Sequence, residues 1–113
     1  MRKDLPDLVA ELLGNLGPTV VQAMTGVRDR SVPTRWARPD GPTPRKLSQQ
    51  QVRLGFRVWL MLRDAEGPQV AAAWMIGANP RLGEDTPITA IREMRSADVV
   101  GAAQAFIDDT AAA

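Results

Sequence analysis

Glycine and proline cut this chain into pieces that admit only short regular elements. Nine of each occur in 113 residues, and they gather at Gly17-Pro18, Gly26, the run Pro39-Asp40-Gly41-Pro42-Thr43-Pro44, Gly67-Pro68, Gly77 to Pro80 and Gly83 to Pro87. Proline lacks the backbone donor that a helix interior or a central strand needs, and glycine readily adopts the left-handed conformation that ends a helix. The pieces between these marks carry helical periodicity. Leu5, Leu8, Val9, Leu12, Leu13 and Leu16 recur at three-and-four spacing on one face, and Gly17 closes that segment. Thr19 is the candidate cap of a second helix ending at Thr25, and Asp29 that of a third over about 30–37.

Ser48, three residues before Gln51, has the form of a capping box and opens the longest segment, about 49–66. In its second half the apolar residues run nearly all round the helix, as in a buried central strut. Gly67-Pro68 ends it and places Pro68 at the first position of a fifth helix running to Ile76. Thr86-Pro87 repeats that device for a sixth, and Ser96 is the candidate cap of a last helix with Val99, Val100, Ala103, Phe106 and Ile107 on one side. No alternating run or Asn-Gly hairpin interrupts this pattern, so the expected fold is all-α with about seven helices. The Pro39–Pro44 stretch divides it into residues 1–46 and 47–113, two helical units expected to share a core.

The chain contains neither Cys nor His. This removes thiolate nucleophiles, disulfides, the commonest metal ligand and the commonest general base, leaving a carboxylate-only site as the remaining catalytic option. The expectation is a non-enzymatic protein with no cofactor and no metal. Met24, Met61, Met75 and Met94 read as gap-filling core or adaptable interface. The apolar stretches are shorter than a bilayer requires, and Met1-Arg2-Lys3-Asp4 does not lead into a signal-type apolar region, so a cytoplasmic protein without membrane contact is expected.

Net charge is +1, but its distribution is uneven. Residues 1–46 carry eight basic and five acidic side chains, a net of +3, whereas 47–113 carry six and eight, a net of −2. Six cations, Arg28, Arg30, Arg35, Arg38, Arg45 and Lys46, lie within 19 residues. Such a cluster is either a solvated basic loop or a phosphate-binding surface. Two short helices meeting at Gly26-Val27 have the size and turn residue of a helix-turn-helix, whose second helix enters the major groove. On that reading Arg30, Ser31, Thr34 and Arg35 face the DNA, and Arg35 can bond two guanine acceptors. Arg28, Arg38, Arg45 and Lys46 then contact phosphates, while Val32 and Trp36 point inward. Pro33 falls in the first turn of the recognition helix, where its missing donor has no partner to lose. The plainer alternative is a short helix pair within an all-α core.

The stretch Arg53 to Leu62, then Gly67-Pro68-Gln69-Val70-Ala71-Ala72-Ala73-Trp74-Met75-Ile76-Gly77, then Asn79-Pro80-Arg81-Leu82-Gly83 and Thr86-Pro87, resembles the toxin-binding domain of the Xre/MbcA/ParS-type antitoxin family. Gly26-Val27-Arg28-Asp29 and Val32 to Trp36 resemble that family's Xre-like helix-turn-helix, and the shared order of features spans about residues 19–107. The resemblance implies an antitoxin that blocks the active site of a RES-domain, NAD-degrading toxin and represses its own promoter. It implies toxin contacts at Trp74, Asn79, Pro80, Arg81, Leu82 and Pro87, and DNA contacts between Arg28 and Trp36. Each toxin-site position also has a local role: Trp74 and Leu82 as core, Asn79 and Pro80 as turn formers. The short recognition helix further implies a homodimer on operator DNA and a larger complex with the toxin. The competing functions are a stand-alone helix-turn-helix repressor and a helical adaptor that binds protein only.

Overall fold

In the computed structural model, which describes residues 4–112, the chain forms seven α-helices and one short 3₁₀ turn, with no strand among the described residues. The helices are α1 (Leu5–Leu16), α2 (Pro18–Thr25), α3 (Ser31–Trp36), α4 (Lys46–Glu66), α5 (Pro68–Ile76), α6 (Pro87–Arg92) and α7 (Ser96–Ala112). Residues Pro80–Leu82 form the 3₁₀ turn between α5 and α6. The all-α expectation is met. Met1 to Lys3, including the cations Arg2 and Lys3, and Ala113 lie outside the described residues.

Two Gly-Pro joints set the first and fourth corners by the same means. Gly17 and Gly67 take φ of +85° and +88° and donate their N–H groups to the carbonyls of Leu13 (2.9 Å) and Arg63 (2.8 Å). The following proline then opens the next helix, with its missing donor where none is needed. This corrects the expected cap at Thr19: α2 begins at Pro18, and the Gly17 carbonyl accepts from Val21 N.

Two further starts differ from expectation for related reasons. α4 begins at Lys46, because the Arg45 carbonyl accepts from Gln49 N at 3.0 Å. Ser48 therefore sits inside the first turn, buried, and caps nothing. At α7 the Arg95 carbonyl accepts from Val99 N, and the Ser96 hydroxyl donates back to the Met94 carbonyl instead of capping. Thr86 does cap α6, accepting from Thr89 N at 3.1 Å.

α4 is the strut that the sequence suggested. Val52, Val58, Trp59 and Leu62 are fully buried along it, and it packs against α1, α2, α5, α6 and α7. One core cluster unites residues from before and after the proline linker, including Leu12, Val21 and Met24 with Trp59, Met75 and Ile91. The closest helix approach is at Gly55, where a Cβ would meet the Sδ and Cε atoms of Met24. The linker itself folds back: Gly41 N donates to Arg38 O, and Pro42 and Pro44 close with Leu5, Pro6 and Trp36 around a hollow of about 100 Å³. No helix among the described residues is long and apolar enough to cross a membrane.

Candidate nucleic-acid interface and partner groove

The turn between α2 and α3 is fixed from both sides. Gly26, left-handed at φ +69°, donates its N–H to Gln22 O at 2.8 Å and ends α2. The Gln22 side chain then reaches forward and donates to Arg28 O at 2.9 Å. Asp29 acts as the cap of α3 as expected, its Oδ1 accepting from both the N–H and the hydroxyl of Ser31 at 2.8 Å. Those two hydrogen bonds favour the ionised carboxylate and lower the Asp29 pKa, with a smaller contribution from the charge of Arg35.

α3 runs from Ser31 to Trp36, one residue shorter at each end than the periodicity suggested. Pro33 occupies its third position and is buried, in the turn where helix donors have no intrahelical partner. Trp36 and Val32 turn toward the core, the former only 6% exposed. The opposite side is open: Arg30, Ser31, Thr34 and Arg35 are all exposed, as are Arg28, Arg38, Arg45 and Lys46. The proton of the Ser31 hydroxyl is committed to Asp29, so this side chain can accept but does not point a donor outward.

What separates these cations from the rest is their lack of acidic partners. Among the described residues none of the six forms an ion pair, whereas Arg63 lies against Asp64 and Glu11, and Arg95 against Asp85, Glu93 and Asp98. The guanidinium of Arg95 has its pKa raised by hydrogen bonding to Asp98 first and to Asp85 after it. One cation that no sequence pattern singled out also reaches the turn: Arg92, the last residue of α6, lays its side chain beside Gly26.

A second feature lies at the far end of α5. Asn79 is held at every backbone atom able to bond: its N–H donates to Asp85 O (3.0 Å), and its carbonyl accepts from Leu82 N and Glu84 N (2.9 Å each). Its side-chain oxygen caps the 3₁₀ turn by accepting from Arg81 N at 2.9 Å. This tight loop presents Pro80 and Arg81 to solvent and buries Leu82 (1% exposed). Pro87, at the first position of α6, is buried too. Of the six positions implied for partner contact, Leu82 and Pro87 thus shape the surface from below. Asn79, Pro80 and Arg81 line an open groove of about 240 Å³, together with Ala102, Phe106 and Asp109 from α7. Trp74 supports the groove, half-buried, its ring tilted 45° against Phe106 at 6.3 Å between centroids.

The α7 wall of the groove was not foreseeable as a site. Phe106 read as one more residue of an apolar helix face, and only the packing of α7 on the 3₁₀ turn brings it to Asn79. Among the described residues no group of acidic side chains is arranged to hold a metal ion. No model of a known protein family, no curated protein and no solved structure matches the chain.

Proposed function

We propose that this protein is a non-enzymatic antitoxin of the Xre/MbcA/ParS type, which binds operator DNA through α3 and its flanking cations and occludes a RES-domain toxin through the groove at Asn79 to Leu82. The observation that carries the DNA half is that all six cations around α3 are exposed and free of ion pairs among the described residues. A surface cation already paired to a carboxylate gives up that contact when it meets a phosphate, whereas these exchange only water and counterions. Arg35, exposed on the capped helix, is placed for base readout, and Arg28, Arg38, Arg45 and Lys46 for backbone contact. The toxin half is supported by the ordered resemblance from Gly67 to Pro87 and by a groove whose Phe106 and Pro80 give apolar surface between the charges of Arg81 and Asp109. That mixture of an apolar centre with a polar rim suits a protein partner.

A stand-alone repressor is the second reading. The burial of Leu82 and Pro87 favours it, because two positions of the resembling motif then have a sufficient role inside the fold.

Two arms test the proposal. Expression of the neighbouring reading frame alone should arrest growth and lower cellular NAD, and co-expression of this protein should relieve both; Phe106→Ala with Arg81→Ala should abolish the relief. A neighbour that is harmless, or toxicity that persists, refutes the antitoxin reading. In a mobility-shift assay with its own upstream DNA, Arg35→Ala should weaken binding by about 1–3 kcal/mol and relax one base position. Unchanged operator affinity refutes the DNA reading.

A further inference from the structure

The cationic surface around the helix-turn-helix contains a member from the other half of the chain. Gly26 is the pivot of the turn, and a Cβ built there would lie 3.3 Å from Cδ and 3.6 Å from Cγ of Arg92. The aliphatic stem of Arg92 therefore runs across the turn, and a glycine at position 26 is what leaves it room. The backbone beneath it is anchored from the strut: Gln51, 2% exposed, donates from Nε2 to the Arg92 carbonyl at 2.8 Å. Buried side-chain hydrogen bonds of this kind fix a position that helix-end fraying would otherwise leave loose.

The head of Arg92 remains exposed and, among the described residues, forms no ion pair. Its neighbour Glu93 is turned to Arg95, at 3.7 Å. Nothing within the fold uses the charge, while the same turn carries Arg28 and Arg30. A cation in the last turn of a helix gains something from the helix dipole, but that role requires neither a stem laid over Gly26 nor an anchored carbonyl.

Resting on the DNA-binding reading above, we propose that Arg92 is a phosphate-contacting residue of the same interface, so that the nucleic-acid face is completed across the turn by α6. The consequence is that the packing of α6 on α2 and α4 sets one of the DNA contacts.

The test measures salt dependence. A fluorescently labelled duplex of the DNA upstream of the coding sequence is titrated with wild type, Arg92→Gln, Arg92→Lys and Arg57→Ala by anisotropy, between about 50 and 200 mM salt. Arg92→Gln keeps the stem over Gly26 and removes the charge. Losing one phosphate contact lowers the slope of log K against log salt by about 0.9, so its affinity should fall about 3.5-fold less than that of wild type across this range. Arg92→Lys should retain the wild-type slope. Arg57→Ala, which removes one charge from an exposed position of α4 about 160° around the helix from Gly55 and hence away from α2, should retain it as well. Equal slopes for wild type and Arg92→Gln overturn the proposal, as does a loss in Arg57→Ala as large as that in Arg92→Gln. If wild type itself fails to bind at the lowest salt, it is the DNA-binding reading that fails, and this inference with it.

Discussion

Gly55→Ala tests whether the helix-turn-helix is held at a distance set by one glycine. Gly55 lies on the buried side of α4, and an added methyl would meet Met24 Sδ, with Cε at 2.7 Å and Cγ at 3.5 Å. Carbon contacts are favourable only near 3.5–4.0 Å, so the end of Met24 must retreat by about 1 Å. Met24 is itself fully buried. Overpacking of this kind costs about 1–3 kcal/mol, and because the obstructed atoms end a flexible side chain, about 2 is the better figure. Alanine meanwhile gains about 0.8–1 kcal/mol over glycine in a helix interior. The net expectation is a loss of about 1 kcal/mol. Met24→Ala removes the obstruction at a cost of about 2–5 kcal/mol. In that background the propensity gain stands alone, and the new methyl refills part of the cavity, so Gly55→Ala should now stabilise by about 1 kcal/mol or more. The reversal of sign is the diagnostic result, with a coupling of about 2 kcal/mol between the two positions. Urea unfolding followed by tryptophan fluorescence and far-ultraviolet circular dichroism measures all four corners of the cycle. A Gly55→Ala effect of the same sign and size in both backgrounds would show that the α2–α4 distance does not depend on this glycine.

Gly41→Ala should be more damaging, because its Cβ would collide with the backbone carbonyl of Arg35 and lie 3.2 Å from Arg38 O, atoms that no rotamer change can move. The linker must lift from α3 and uncover Trp36, so a loss of about 3 kcal/mol in urea with red-shifted tryptophan emission is expected, and a wild-type urea midpoint would contradict it. The Asp29 cap predicts a dependence on acid. Hydrogen bonding to Ser31 holds this carboxyl below its ordinary 3.8, so its contribution to stability is fully present above that value and is lost as pH falls through the lower folded-state pKa. The melting temperature of Asp29→Asn should therefore lie below that of wild type at about pH 6 and converge with it as pH drops below 3.8; a difference that stays constant across that interval would exclude the ionised cap.

The helices were legible because their boundaries are chemical. A Gly-Pro pair both stops one helix and starts the next, and the three-and-four spacing of Leu5 to Leu16 leaves no other regular element that buries one face. Cap assignments at Thr19, Ser48 and Ser96 failed for a shared reason. A hydroxyl residue looks the same in sequence whether it precedes the first turn or sits within it, and which one occurs depends on where the preceding carbonyl finds its donor. Ser48 shows the competition: its place on the face that α4 turns inward, with Gln51 and Gly55, outweighed any capping role. The exposed side of α3 was legible too, since burying Val32 and Trp36 four residues apart sends Arg30, Thr34 and Arg35 outward. The approach of Arg92 to Gly26 and of Phe106 to Asn79 was not, because each joins segments far apart in sequence through packing that no local pattern encodes.

Ion pairing sharpens the charge asymmetry more than the bare sums do. Near Arg63 and Arg95, five carboxylates from Glu11 to Asp98 lie within 4.0 Å of a guanidinium, so the C-terminal region neutralises much of its own charge on its surface. Such exposed pairs add little stability, on the order of 0–1 kcal/mol each, but they lower the local field. Around α3 the opposite holds. Asp29 spends its oxygen on Ser31, and the six cations keep their full charge toward solvent. A net of +1 distributed this way produces a positive potential localised at one end of a nearly neutral body. That is the condition under which a small protein is steered to a polyanion by one face while the groove beside Asn79 stays open to a second partner.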